Sequence, residues 1–155
     1  GSMSAEGRNP LQAVLFVCSL NAVRSPMAEA MTRIRYGRHI YVDSAGLQKS
    51  ERDPFMLAAL REIGIEFEND QPHVLEEVDY EGFDLIIALS PEAHARTKEA
   101  LRATAVELLH WPIPDATQAT GTREQRMLAY REVRDTLDKL IRDEIGGRLK
   151  GKIAG

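Results

Sequence analysis

Apolar and polar positions along this chain change period several times, and each change marks an element. Val14 to Val17 is an unbroken apolar run rich in β-branched residues, the pattern of a strand buried on both faces. The period then switches. Met27, Ala30, Met31 and Ile34 recur at i, i+3, i+4 and i+7, one face of a helix that opens near Pro26 and ends at Tyr36-Gly37. Ile40 to Ser44 reads as a second strand. Phe55, Met56, Ala59, Leu60 and Ile63 give a second helical face, opened by Asp53-Pro54 and closed by Gly64. The acidic stretch Glu76 to Glu81 reads as a solvated short helix or loop. Leu85 to Leu89 is a third strand, and Ser90-Pro91 starts a helix running to about Arg102. Val106 to His110 is a fourth strand. Thr122 and Gln125 form a capping box ahead of a long stripe: Met127, Tyr130, Leu137, Leu140, Ile141 and Ile145. Gly146-Gly147 is expected to stop that helix.

Strands alternating with helices predict an α/β fold. We expect a single three-layer domain, a four-stranded parallel sheet with helices on both faces. Right-handed crossovers restrict its topology, and ligands of such sheets bind at the carboxyl ends of the strands. The domain is expected over residues 11–147, with a tag and disordered N-terminus at 1–10 and a flexible tail at 148–155. Gly1-Ser2-Met3 has the character of an expression remnant. A length of 155 residues suits one core, and 43% hydrophobic with 28% charged residues is an ordinary globular composition. A net charge of −4 recommends neither nucleic acid nor an anionic membrane as partner. No apolar run reaches the ~20 residues of a membrane span.

The chemistry gathers where the first strand meets the first helix. Cys18, the single cysteine, ends the strand, and Arg24, Ser25 and Pro26 follow. A loop there faces a helix N-terminus, where backbone N–H groups are unpaired and the macrodipole is positive. Such a loop suits a tetrahedral oxyanion. The same field is expected to lower the pKa of the Cys18 thiol. The Arg24 guanidinium can hold two anion oxygens in parallel. A thiolate beneath a phosphate so held is a nucleophile for phosphoryl transfer. The candidate cradle is Cys18, Ser19, Leu20, Asn21, Ala22, Val23, Arg24 and Ser25. One cysteine makes no internal disulfide, and a thiolate nucleophile prefers a reducing compartment, so a cytoplasmic location is expected. His39, His73, His94 and His110 are scattered without ligand spacing, so no metal or other cofactor is expected.

The run C-S-L-N-A-V-R-S-P-M-A-E resembles the phosphate loop of low-molecular-weight protein tyrosine phosphatases and the related arsenate reductases, C-x-G-N-x-x-R-S-P-x-A-E. Asn21, Arg24, Ser25, Pro26, Ala28 and Glu29 match, whereas Leu20 stands where the family has Gly. Leu20 therefore either takes a strained angle or marks a loop that does not need glycine's freedom. The run Asp43-Ser44-Ala45-Gly46 resembles the family's second strand end, which implies that Ser44 buttresses the loop through Asn21; a simple turn is the alternative. The family's general acid is an Asp in a D-P loop before the last helix. Asp115, after Pro114, matches it, with Ala116 in place of the family's Pro; a type I turn is the alternative role. Asp53 also precedes a proline, but helix capping accounts for it.

The resemblance implies attack by Cys18 and protonation of the leaving oxygen by Asp115. Water activated by Asp115 then hydrolyses the phosphocysteine, while Ser25 supports the thiolate and Asn21 holds the loop. The implied substrate is a phosphorylated protein or a small aryl phosphate. The family's paired tyrosines after the acid are absent, the segment here being D-A-T-Q-A-T. Trp111 is placed either at the cavity wall or buried at a strand end. Two alternatives remain: an arsenate reductase using an external thiol such as glutathione or mycothiol, and a non-catalytic oxyanion-binding regulatory module. The thioredoxin-coupled reductase needs two further cysteines that this chain lacks.

Overall fold

The computed structural model describes residues 10–20, 22–67 and 72–151, so the expectations for residues 1–9, Asn21 and 152–155 lie outside the described residues. Four parallel strands form one sheet: β1 (Ala13–Leu20), β2 (Tyr41–Gln48), β3 (Leu85–Ala88) and β4 (Glu107–His110), in the order β2-β1-β3-β4. The helices are α1 (Arg24–Tyr36), α2 (Pro54–Arg61), α3 (Pro91–Ala100) and α4 (Arg123–Leu140). This is the α/β architecture expected.

Strand alternation sorts the core into two layers. Val14, Phe16 and Cys18 of β1 and Leu85 and Ile87 of β3 face a large cluster with α1, α2 and α4. Ala13, Leu15, Val17, Ile86 and Ala88 face a smaller one that includes Ala93 and Leu101. With β1 central, its neighbours reached from opposite sides, the crevice beyond its carboxyl end is the topological switch point.

The caps fall where the side chains demand. Asp53 accepts from the N–H groups of Phe55 and Met56, Ser90 from that of Ala93, and Thr122 and Gln125 satisfy one another's backbone. Gly64 takes φ +81°, the left-handed value that suits glycine past a helix end.

Three expectations fail. Ile34 is 67% exposed: α1 buries its first turns, Ser25 to Thr32, and Ile34 lies past that seat. Ile63 is exposed as well, and the two isoleucines flank one surface groove with Met31 and Ile65. Gly146-Gly147 do not stop the last helix. It continues as a π-helical turn, Ile141–Gly146, and helical structure reaches residue 151. Gly146 lies so close under the Tyr36 hydroxyl that a Cβ would collide with it, so this glycine answers a close approach and not a helix end. Beyond it Leu149 is buried, and Arg148 holds Glu107 and Glu144. Among the described residues no helix is long and apolar enough to cross a membrane.

Candidate active site

The first strand runs further into the cradle than its apolar run suggests. Pairing continues to Leu20, which stands in register with Gln48 of β2. Leu20 is therefore not strained: among the described residues only glycines have positive φ. α1 then starts at Arg24 behind Val23, whose side chain makes no cap hydrogen bond. The N–H of Ser25 instead points at sulfur, donating to Cys18 Sγ at 3.4 Å. The Ser25 hydroxyl lies 2.9 Å from the same sulfur and also reaches the Ala45 carbonyl at 3.3 Å.

The thiol is fully buried and donates to the Leu20 carbonyl. A carbonyl oxygen accepts only from the protonated form, so this arrangement holds a thiol and not a thiolate. Burial pushes the pKa of Cys18 above the ordinary thiol value, against the Ser25 hydroxyl and N–H, the charge of Arg24 and a backbone contact from Leu20, which all act downward. The expected lowering is thus reversed in this resting geometry, because desolvation outweighs the field of the loop.

Arg24 bridges two loops. Its Nη1 donates to the carbonyls of Ile113, at 3.0 Å, and Leu89, at 3.5 Å. Arg24 also lines an open cavity. That cavity, about 440 Å³, is also lined by Ser19, Leu20, Ser90, Glu92, Asp115 and Thr117. Asp115 caps the short 3₁₀ turn Ala116–Gln118: Oδ1 accepts from the Thr117 hydroxyl at 2.6 Å and from its N–H at 3.0 Å. Burial pushes the carboxyl up, but those two donors and the Arg24 charge outweigh it and leave the pKa below the usual value. At rest Asp115 is a carboxylate, and the Gln118 side chain also donates to it. A bound phosphate dianion beside it favours the protonated form, since like charges repel.

A buried cysteine under an uncapped helix end, with an arginine and a carboxylate over one cavity, is a phosphate-loop arrangement. The family model described as "Low molecular weight phosphotyrosine protein phosphatase" matches residues 13–146. The chain belongs to this family. A protein named arsenate reductase in Bacillus subtilis is 30% identical over 137 residues, covering 88% of this chain and 91% of that protein. The solved structure of a YwlE mutant from Bacillus subtilis superposes with a TM-score of 0.73 at 23% identity, covering 93% of this chain and 99% of that one. The Erwinia amylovora tyrosine phosphatase amsI gives 0.74 at 16% identity, covering 88% and 93%. These two likenesses speak for the fold.

Ser44 is buried behind the loop, and its hydroxyl donates to Glu29, a carboxylate 1% exposed that Arg33 also contacts. Burial raises the Glu29 pKa, opposed by Ser44 and Arg33. Asn21, the expected partner of Ser44, lies outside the described residues. Trp111 does not line the cavity; it is buried against Phe16 with ring centroids 6.0 Å apart. The histidines are not all scattered either. His94 and His110 stack at 4.8 Å, because α3 lies over β4.

Three contacts escaped the sequence reading. Ser19 and Ser90 share a hydrogen bond at 3.0 Å, joining the end of β1 to the turn after β3. Asp53 does more than cap α2: its N–H donates to the Ala22 carbonyl, and its carboxylate accepts from the Tyr130 hydroxyl at 2.8 Å. The contacts of Glu29 with Ser44 and Arg33 had a legible signal, an acid inside an apolar helix face.

Proposed function

We propose that this chain is a phosphomonoester hydrolase working through a phosphocysteine at Cys18. The observation that carries the reading is the aim of the Ser25 N–H and hydroxyl, in the first turn of α1, at Cys18 Sγ. Substrate phosphate displaces the Leu20 carbonyl and takes the loop N–H groups and the Arg24 guanidinium. Its charge shifts Asp115 toward the acid form. The Cys18 thiol proton passes by way of the bound phosphate to Asp115, and the resulting thiolate attacks in line: the S–P bond forms, the ester P–O bond breaks, and Asp115 gives that proton to the leaving oxygen. Water then forms a new P–O bond as S–P breaks, and Asp115 takes the water's proton. Ser25 donates to the departing thiolate. No aromatic ring stands among the cavity's lining residues, so recognition of the leaving group rests on other contacts. A free-thiol nucleophile carries with it a reducing, cytoplasmic setting.

The naming of the Bacillus subtilis relative favours a second reading, arsenate reduction. Arsenate has the shape and charge to enter the same cradle. Its reduction needs two electrons, and with Cys18 as the single cysteine they come from thiols outside the chain, such as glutathione or mycothiol. Steady-state assays with an aryl phosphate, and with arsenate plus those thiols, separate the readings. We expect ester hydrolysis with arsenate as a competitive inhibitor. Arsenate turnover at rates rivalling ester hydrolysis would assign the reductase.

A further inference from the structure

Beside the cradle lies a group of side chains that the proposed mechanism does not use. Phe55, on the first turn of α2, is half-buried and meets the Tyr130 ring edge-on, centroids 5.3 Å apart at 74°. Tyr130 is tied to Asp53, and Asp53 to the cavity-lining Ala22. Two guanidinium groups lie over the Phe55 ring: Arg126 at 4.7 Å from its centroid and Arg123 at 5.1 Å. Both arginines are exposed.

Neither arginine has a carboxylate partner among the described residues. Arg33, Arg35, Arg131, Arg134 and Arg148, by contrast, each hold an acid. Glu124, the acid between the two in sequence, is turned away onto Arg131 at 2.6 Å. The carboxylate of Asp53, nearest along the chain to Phe55, is engaged by Tyr130 and the amides of Phe55 and Met56. Covering a ring with side-chain stems needs no second charge. Two like charges sharing one ring repel, and they lie in the first turn of α4, where cations are disfavoured. Tyr130 links the plate to the chemistry. Burial and Asp53 hold its phenol well above the usual value, Asp115 adds to that, and Arg126 acts against it. The plate and the candidate acid therefore share one electrostatic neighbourhood.

We propose that Arg123 and Arg126, stacked on Phe55, form a subsite that reads acidic side chains flanking the phosphorylated residue of a protein substrate. A guanidinium stacked on a ring is oriented while its N–H edge stays open to a carboxylate. The proposal deepens the phosphatase reading and rests on it. It commits to an acidic peptide, because the two guanidinium groups stacked on Phe55 concentrate positive charge that no carboxylate of the described residues meets.

The test uses two phosphotyrosine peptides that differ only in flanking Glu versus Gln, with a small aryl phosphate as internal control. The wild-type protein should favour the acidic peptide by roughly five- to tenfold in kcat/KM, a preference that shrinks at high salt, as two exposed ion pairs allow. Arg123→Gln with Arg126→Gln should remove the preference and leave aryl phosphate turnover within about twofold. Arg123→Lys with Arg126→Lys should retain much of it, which separates charge from loss of folding. No preference in the wild type, or one unchanged in the Gln variant, overturns the subsite. Binding of the same peptides to the Cys18→Ser protein, read by fluorescence anisotropy, isolates the subsite from the reaction. A charge-dependent preference there without any aryl phosphate turnover supports the subsite and sinks the phosphatase reading. Equally tight Arg-dependent binding of a single-stranded oligonucleotide would overturn the peptide assignment.

Discussion

Two strand-to-helix turns lie side by side at the carboxyl edge of the sheet and line the same cavity. The turn from β3 into α3 finishes its helix with Ser90, whose hydroxyl accepts the Ala93 N–H at 3.1 Å, and with Pro91 behind it. The turn from β1 into α1 has Val23 at the equivalent point and no side-chain cap. A cap of the Ser90 kind is worth about 1 kcal/mol. α1 forgoes that stabilisation, and its first N–H groups are left for sulfur and for whatever anion the cavity admits. One turn spends its donors on the fold, whereas the other, on the proposed function, keeps them for chemistry. The Ser19–Ser90 hydrogen bond fastens the end of β1, which leads into the bare turn, to the capped one, so stability in one supports openness in the other.

The comparison breaks if chemistry does not depend on the groups gathered over the bare turn. Asp115→Asn should slow esters of poor leaving groups by roughly 10²–10⁴, and those of good leaving groups far less. A matched series of aryl phosphates measures this, and equal losses would make Asp115 a turn residue alone. Arg24→Lys keeps the charge and loses the planar fork. It should cost roughly 10²–10³ in kcat, against a modest change in thermal stability.

The next test exchanges the two turns. Ser90→Ala should lower stability by about 1 kcal/mol in a urea titration while ester turnover falls only slightly. Val23→Ser should do the reverse, because a new hydroxyl would take the N–H that the anion needs. Its phosphate affinity should fall several-fold while stability changes by less than about 1 kcal/mol, the new cap offsetting lost apolar burial.

The smallest effect sharpens the account of Leu20. With its pKa raised, the Cys18 thiol stays protonated at neutral pH, so alkylation by iodoacetamide should be slow and rise only above the ordinary thiol range. Leu20→Gly frees the backbone that contacts the sulfur, and should move the pH of that rise with at most a modest change in turnover. An identical alkylation profile would mean that the carbonyl contact does not hold the proton.

Much of this was legible in the sequence because it is local. The caps at Asp53, Ser90 and Thr122 depend on a few neighbouring side chains, and the strands on a run of apolar residues. The cradle was legible for the same reason, since Cys18, Arg24 and Ser25 lie within one turn and its flanks. What escaped depends on distant partners. Leu20 is extended because Gln48 stands beside it in β2. The raised thiol pKa follows from complete burial, which no local spacing encodes. Gly146 reads as a helix stop until Tyr36 is seen pressed against it. Ile34 and Ile63 follow the helical period but lie beyond the packed turns. The contact of Arg123 and Arg126 with Phe55 joins α4 to α2, elements far apart in the chain.

The covalent step at Cys18 is the centre of the account, and it is open to direct observation. The wild-type protein is mixed with an aryl phosphate labelled on phosphorus and quenched within one turnover, and the cysteine peptide is analysed by mass spectrometry. The predicted result is a phosphoryl group on Cys18 that appears before the steady state, decays by hydrolysis, and is missing in Cys18→Ala, which turns over no ester. Ester hydrolysis that proceeds with no label on Cys18, or that survives in Cys18→Ala, would contradict it.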